Sequence, residues 1–154
     1  VVQIVGEFED KLNAADLTLL IQKPETPVYV MADGRHFWRV IDNLMNNICK
    51  YAQPGTRVYV DLRENGGQVE LIFRNTSRYP LNISSEELME RFVRGDESRN
   101  TEGSGLGISI AKSLMELMGG SFMLYVDGDL FKVVLGFAQM EEEKEPLDED
   151  KSGK

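Results

Sequence analysis

The chain has one cysteine, Cys49, and one histidine, His36. A single thiol excludes an internal disulfide and a cysteine-rich zinc site, and it suits a reducing compartment. Without a paired histidine, Cys49 reads as a small core filler rather than a nucleophile. Basic charge is also short, with 17 lysines and arginines against 26 acidic residues, a net charge of −9. Seven of the acids and three of the bases fall in Glu141–Lys154, which leaves −5 on residues 1–140. That balance lacks the basic footprint of a nucleic-acid binder, so no nucleic-acid partner is expected. No apolar run approaches the roughly 20 residues of a membrane span, and no signal-peptide pattern opens the chain. The expectation is a soluble, cytoplasmic domain without direct membrane insertion.

What is present is an ordinary globular balance, 42% hydrophobic and 28% charged over 154 residues. It predicts one domain over residues 1–140, followed by an acidic, disordered tail over 141–154. Residues 1–16 read as one helix, with Ile4, Phe8 and Leu12 on one face. Leu17–Gln22 and Val28–Met31 read as strands around the two prolines of Lys23–Pro27. Asp33 is the expected N-cap of a helix whose apolar residues recur at 37, 40, 41, 44, 45 and 48. Arg57–Arg63 and Gln68–Arg74 form a hairpin around Glu64-Asn65-Gly66-Gly67. Ser85–Phe92 makes a short helix, and Leu106–Met118 a longer one closed by Gly119-Gly120. Ser121–Val126 and Leu130–Phe137 form a last hairpin. This order predicts an α/β two-layer sandwich: a mixed, mostly antiparallel sheet covered by helices on one face.

Two polar features exceed what packing needs. On the helix Phe37–Ala52, Asn43, Asn47, Lys50 and Tyr51 fall at i, i+4, i+7 and i+8, beside the apolar face. Asn43, Asn46 and Asn47 sit mid-helix although asparagine is a poor helix former, and such local conflicts often mark function. A solvated polar face is the plain alternative. An amide oxygen can ligate a hard cation such as Mg²⁺, and a lysine one turn away can meet phosphate. The second feature is Gly103-Ser104-Gly105-Leu106-Gly107, which runs into the helix Leu106–Met118. Glycines let backbone N–H groups approach a phosphate closely, and a helix N-terminus favours the anion. The segment fits neither a phosphate loop ending in Gly-Lys-Ser/Thr nor a dinucleotide fingerprint. Behind the polar stretch Arg94–Gly105, it reads as a mobile lid hinged on glycine.

Three stretches in order carry a resemblance: Arg39–Tyr51, Glu90-Arg91-Phe92-Val93-Arg94-Gly95-Asp96, and Gly103–Gly107 with the helix after it. They resemble the asparagine, phenylalanine and second glycine boxes of the ATP-binding catalytic domain of sensor histidine kinases, in the GHKL superfamily. The resemblance covers roughly residues 1–138. It implies ATP and Mg²⁺ as cofactors, with Asn47 on the Mg²⁺ of the triphosphate. Asn43 and Lys50 would support the phosphates and serve catalysis, and Tyr51 would pack beside the adenine. Phe92 would anchor an ATP lid over residues 93–104, with Arg94 on a phosphate. Gly103, Gly105 and Gly107 would hold the phosphates through backbone amides, with Ser104 and Leu106 in the same loop. The γ-phosphoryl group would pass to a histidine on a dimerisation domain of the same kinase, outside this chain, and then to a response regulator. The fragment is expected to be monomeric, with the full-length protein anchored in the cell membrane as one possibility.

The family's Asp-x-Gly-x-Gly segment is replaced here by Asn75-Thr76-Ser77-Arg78-Tyr79-Pro80. Asn75 can still offer a carbonyl oxygen to the adenine amino group, without charge. The alternative is that Asn75 only ends a strand in an Asx-turn. His36 reads as a partly exposed structural residue rather than the phosphoacceptor. A GHKL ATPase is an alternative function, but it needs a glutamate one turn before the magnesium asparagine, where Asn43 stands and cannot take a proton. A serine-kinase-type regulator and a degenerate partner-binding module complete the alternatives.

Overall fold

A computed structural model describes residues 1–81, 83–94 and 106–140, with the backbone alone for Val2, 91–94 and Leu106. The tail 141–154 lies outside the described residues. The first predicted helix is two, α1 (Val2–Gly6) and α2 (Glu9–Ala14). The break falls where Glu7 and Phe8 donate to carbonyls three residues back, those of Ile4 and Val5. Val5, Phe8 and Leu12 are buried on either side of this tighter turn.

The third helix, α3 (Gly34–Tyr51), starts where its cap dictates. Asp33 accepts from the backbone N–H groups of Arg35 at 2.9 Å and His36 at 3.1 Å. These bonds, the His36 one above all, hold the Asp33 carboxyl below its ordinary range. Val40, Ile41, Leu44, Met45 and Ile48 are buried along one face. Burying each such side chain is worth about 1.5–3 kcal/mol, enough to override the unfavourable asparagines on the same helix.

Six strands make one sheet: β1 (Leu17–Gln22), β2 (Tyr29–Val30), β3 (Thr56–Asn65), β4 (Gln68–Thr76), β5 (Ser121–Asp127) and β6 (Leu130–Met140). The main order is β1-β3-β4-β6-β2, with β5 also on β6. β1 runs parallel to β3 and every other pairing is antiparallel, as expected of a mixed, mostly antiparallel sheet. The β3–β4 hairpin turns through Gly66 (φ 56°) and Gly67 (φ 82°). Positive φ at both central residues is what a tight hairpin turn of right-handed twist requires, and only glycine adopts it without strain. The strand predicted at Val28–Met31 shrinks to two residues, because only Gln139 and Met140 pair with it. Helices α4 (Ser85–Arg94) and α5 (Leu106–Leu117) complete the helical layer. Val58, Val60, Leu71, Phe73, Val133 and Leu135 project from the sheet toward Ile41, Leu44, Ile108, Ala111 and Met115, forming one core.

The opposite face of the sheet holds a buried charge. Asp61 is 1% exposed, with its Oδ2 2.8 Å from Arg74 and 3.4 Å from Arg63. Arg74 also stacks over Tyr59, 4.9 Å from the ring centre, and Lys132 lies 5.4 Å over Tyr125. No described helix is long and apolar enough to cross a membrane.

Candidate functional site

The polar flank of α3 meets the first turn of α5. Gly107 approaches so closely that a Cβ on it would lie 3.5 Å from Asn43 Cβ and 3.7 Å from Asn43 Oδ1. A methyl there would be in ordinary contact, and a larger side chain would displace Asn43. The fold thus joins two sequence features 64 positions apart, the asparagine helix and the end of the glycine segment. Asn43 Nδ2 is buried and has no hydrogen-bond partner among the described residues. A buried donor of this kind costs about 1–3 kcal/mol unless something accepts from it.

Asn46 behaves differently. It accepts from Lys11 Nζ of α2 at 3.0 Å, so this asparagine ties the N-terminal helices to α3. Asn47 is half-buried one turn beyond Asn43. Lys50 is exposed, with its ammonium 5.1 Å over the ring of the half-buried Tyr51.

The end of α3 is stitched to the end of β4. Tyr51 O accepts from Arg78 N at 2.8 Å, Thr76 O accepts from Gln53 N at 2.8 Å, and Ala52 bridges Ser77. Two buried polar residues, Asn75 at 4% and Ser77 at 8% exposure, therefore lie beside the last turn of α3. Asn75 is within β4, opposite Phe131. The side-chain turn belongs to Ser77, whose Oγ accepts from Tyr79 N at 3.3 Å. The segment is pinned from its other side as well, where Ser77 N donates to Asp129 O and Leu81 N to Gly128 O. That Ser77 forms the turn was not visible in the sequence, since Asn75, Thr76 and Ser77 can all make such turns.

Helix α4 is capped by Ser84, whose Oγ accepts from Glu87 N at 3.2 Å, and Glu86 and Glu87 in its first turn suit the helix dipole. Phe92 and Arg94 lie in α4, but their side chains are outside the described residues, as is the side chain of Leu106. Gly103, Ser104, Gly105 and residues 95–104 of the lid expected over 93–104 are outside them too. His36 is half-buried at the start of α3, with its backbone N–H on Asp33. Burial pushes the Cys49 thiol up, against a smaller opposing effect of Lys11, so Cys49 is not an activated nucleophile. A groove of about 870 Å³ opens between α4, α5 and β5, lined by Met89, Ser109, Lys112, Glu116 and Phe122. None of Asn43, Asn47, Lys50, Tyr51 or Asn75 lines it.

Among the described residues no cluster of three histidines, cysteines or acids is arranged to hold a metal. A cation carried in by a bound anion brings ligands of its own, the anion's oxygens and water. Neutral amide oxygens suit a hard cation arriving in that way.

Over residues 32–146 the sequence matches the family described as histidine kinase-, DNA gyrase B-, and HSP90-like ATPase. The probable sensor kinase SilS of Salmonella typhimurium is 29% identical over 137 residues, 87% of this chain and 28% of that protein. The probable sensor protein PcoS of Escherichia coli is 34% identical over 110 residues, 69% of this chain and 24% of that protein. The chain thus spans about a quarter of the length of these relatives. The solved catalytic domain of histidine kinase ThkA shares the fold, with a TM-score of 0.73 at 20% identity and 88% of each chain covered.

Proposed function

The chain belongs to the family of histidine kinase-, DNA gyrase B- and HSP90-like ATPases, and from that premise we propose that it is the ATP-binding catalytic domain of a two-component sensor histidine kinase. The observation that carries the reading is the meeting of Asn43 with Gly107, which places the asparagine stripe against a helix N-terminus. A helix N-terminus attracts phosphate, and the orphaned Asn43 Nδ2 is a donor suited to a phosphate oxygen.

In this reading Asn47 would hold Mg²⁺ through its amide oxygen, and Lys50 would neutralise the terminal phosphates. Bound Mg²⁺ would supply neutralisation of the triphosphate charge. Tyr51 and Asn75 flank the base. Gly103, Ser104, Gly105, Leu106 and Gly107 cradle the phosphates, Phe92 anchors the lid and Arg94 meets a phosphate. The γ-phosphoryl group goes to a histidine on a dimerisation domain of the same kinase, and a response regulator receives it afterwards. Catalysis rests on positioning and electrostatics, since this transfer asks little covalent chemistry of the protein. The position one turn before Asn47 bears an amide, so no side chain there can take a proton from water, and steady hydrolysis is not expected.

The test is phosphotransfer from ATP to a separately supplied acceptor domain. Wild-type protein is expected to transfer in the presence of Mg²⁺. Asn47→Asp keeps the shape but sets an anion beside the triphosphate, and should cut the rate at least tenfold. Steady ATP hydrolysis without acceptor, abolished by Asn43→Ala, would overturn the kinase reading in favour of an ATPase.

A further inference from the structure

Asn75 stands at the end of β4, 4% exposed, beside Ser77 at 8%. The last turn of α3, with Tyr51, is hydrogen-bonded down onto the same strand end. A side chain so enclosed, on a strand residue paired with Phe131 of β6 and two positions before the Ala52–Ser77 bridge, presents its polar group from a fixed backbone to whatever enters there. Its chemistry is the informative point. A carboxylate offers acceptors only, whereas an asparagine offers an acceptor and a donor at the same reach, exchanged by a half-turn of the amide. Adenine presents an amino donor at the position where guanine presents a carbonyl acceptor. A carboxylate would reject the guanine carbonyl by repulsion between acceptors. The amide can satisfy either base.

Resting on the nucleotide-site reading above, we infer that Asn75 is a specificity-determining residue whose neutral amide relaxes purine choice, so that the site takes guanosine as well as adenosine triphosphate. Sites that hydrogen-bond a substrate group discriminate strongly only when the wrong substrate leaves a buried polar group unpaired or opposed. At the position of the amino or carbonyl group, neither purine does so here.

The experiment is calorimetric titration of the chain with ATP and, separately, GTP, each with Mg²⁺, for wild type and Asn75→Asp. Wild-type dissociation constants for the two nucleotides should agree within about tenfold, and Asn75→Asp should weaken GTP at least about a hundredfold more than ATP. The wild-type ratio decides the matter even if the variant does not fold. ATP binding with GTP more than tenfold weaker in wild type overturns this inference alone and leaves the nucleotide site standing. A folded variant that still takes both nucleotides equally shows that Asn75 is not the determinant, and it too overturns the inference. Absence of binding by either nucleotide to folded wild type overturns the nucleotide site, and this inference with it.

Discussion

Replacing Gly107 with alanine should separate stability from ligand binding at a single atom. The added Cβ would sit 3.5 Å from Asn43 Cβ and 3.6 Å from Asn43 Cγ, ordinary contact distances that require no shift. Gly107 lies in the first turn of α5, and exchanging a helical glycine for alanine gains about 0.5–1 kcal/mol, with the lower figure apt so near the terminus. For a domain of this size each kcal/mol moves the melting temperature by about 2–4 °C, so the free variant should melt about 1–2 °C higher than wild type. On the proposed nucleotide-site reading, however, the methyl group would occupy the space through which a phosphate approaches the backbone N–H groups. Saturation of wild type at a hundredfold excess over Kd adds about 2.7 kcal/mol, a rise of about 5–10 °C. A tenfold loss of affinity removes about 1.4 kcal/mol of this, so roughly half of the rise should vanish in the variant. Calorimetric melting of both proteins with and without ATP and Mg²⁺ reads both effects. A variant that melts higher when free and gains the full wild-type increment from ATP would refute the argument that backbone approach at Gly107 serves the ligand.

Two more outcomes concern charged groups remote from the asparagine stripe. Arg74→Leu leaves the 1% exposed Asp61 with only the more distant Arg63. Because Arg74 is itself one-third exposed and partly screened, the loss should be about 2 kcal/mol, below the full cost of breaking a buried pair; an unchanged urea midpoint would contradict it. Asp33→Ala removes the α3 cap and should lower the melting temperature at neutral pH. The folded protein holds the Asp33 carboxyl below its unfolded value, so the cap's stabilisation is full above the unfolded pKa and fades as pH falls through the folded one. Wild type and variant should therefore converge in strong acid, and a gap that persists there would show that the carboxylate is not the cap.

Much of this architecture is legible in the sequence because it is written in short-range patterns. The α3 period, the Asp33 cap and the Gly66-Gly67 turn each depend on residues within a few positions of one another, and each has its expected place. What stays hidden depends on partners far along the chain. Asp61 alternates with Val60 and Leu62 as a solvent-facing residue would, and its burial comes from Arg74 on the neighbouring strand. Asn46 looks like its sister amides until Lys11, 35 residues earlier, is seen to hold it. The split between α1 and α2 is invisible to periodicity, since a face repeating every three or four residues survives a tightened turn at Glu7 and Phe8. For the candidate site, the asparagines and Gly107 could be singled out separately, but only the packing of α3 on α5 shows that Asn43 and Gly107 touch.

Helix α3 carries both the residues that fill the core and the amides of the polar stripe on one uninterrupted rod of 18 residues. Each residue added to a helix rotates the remainder of it by about 100°, so a one-residue insertion between Asn43 and Ile48 would swing Lys50 away from the stripe and Ile48 out of the core together. The two reading frames are the same frame. Such a helix can be altered in evolution by exchanging side chains but not by changing length, whereas the Lys23–Pro27 turn has no such constraint. Length variation among relatives of this chain should accordingly avoid residues 40–50 and gather in its loops.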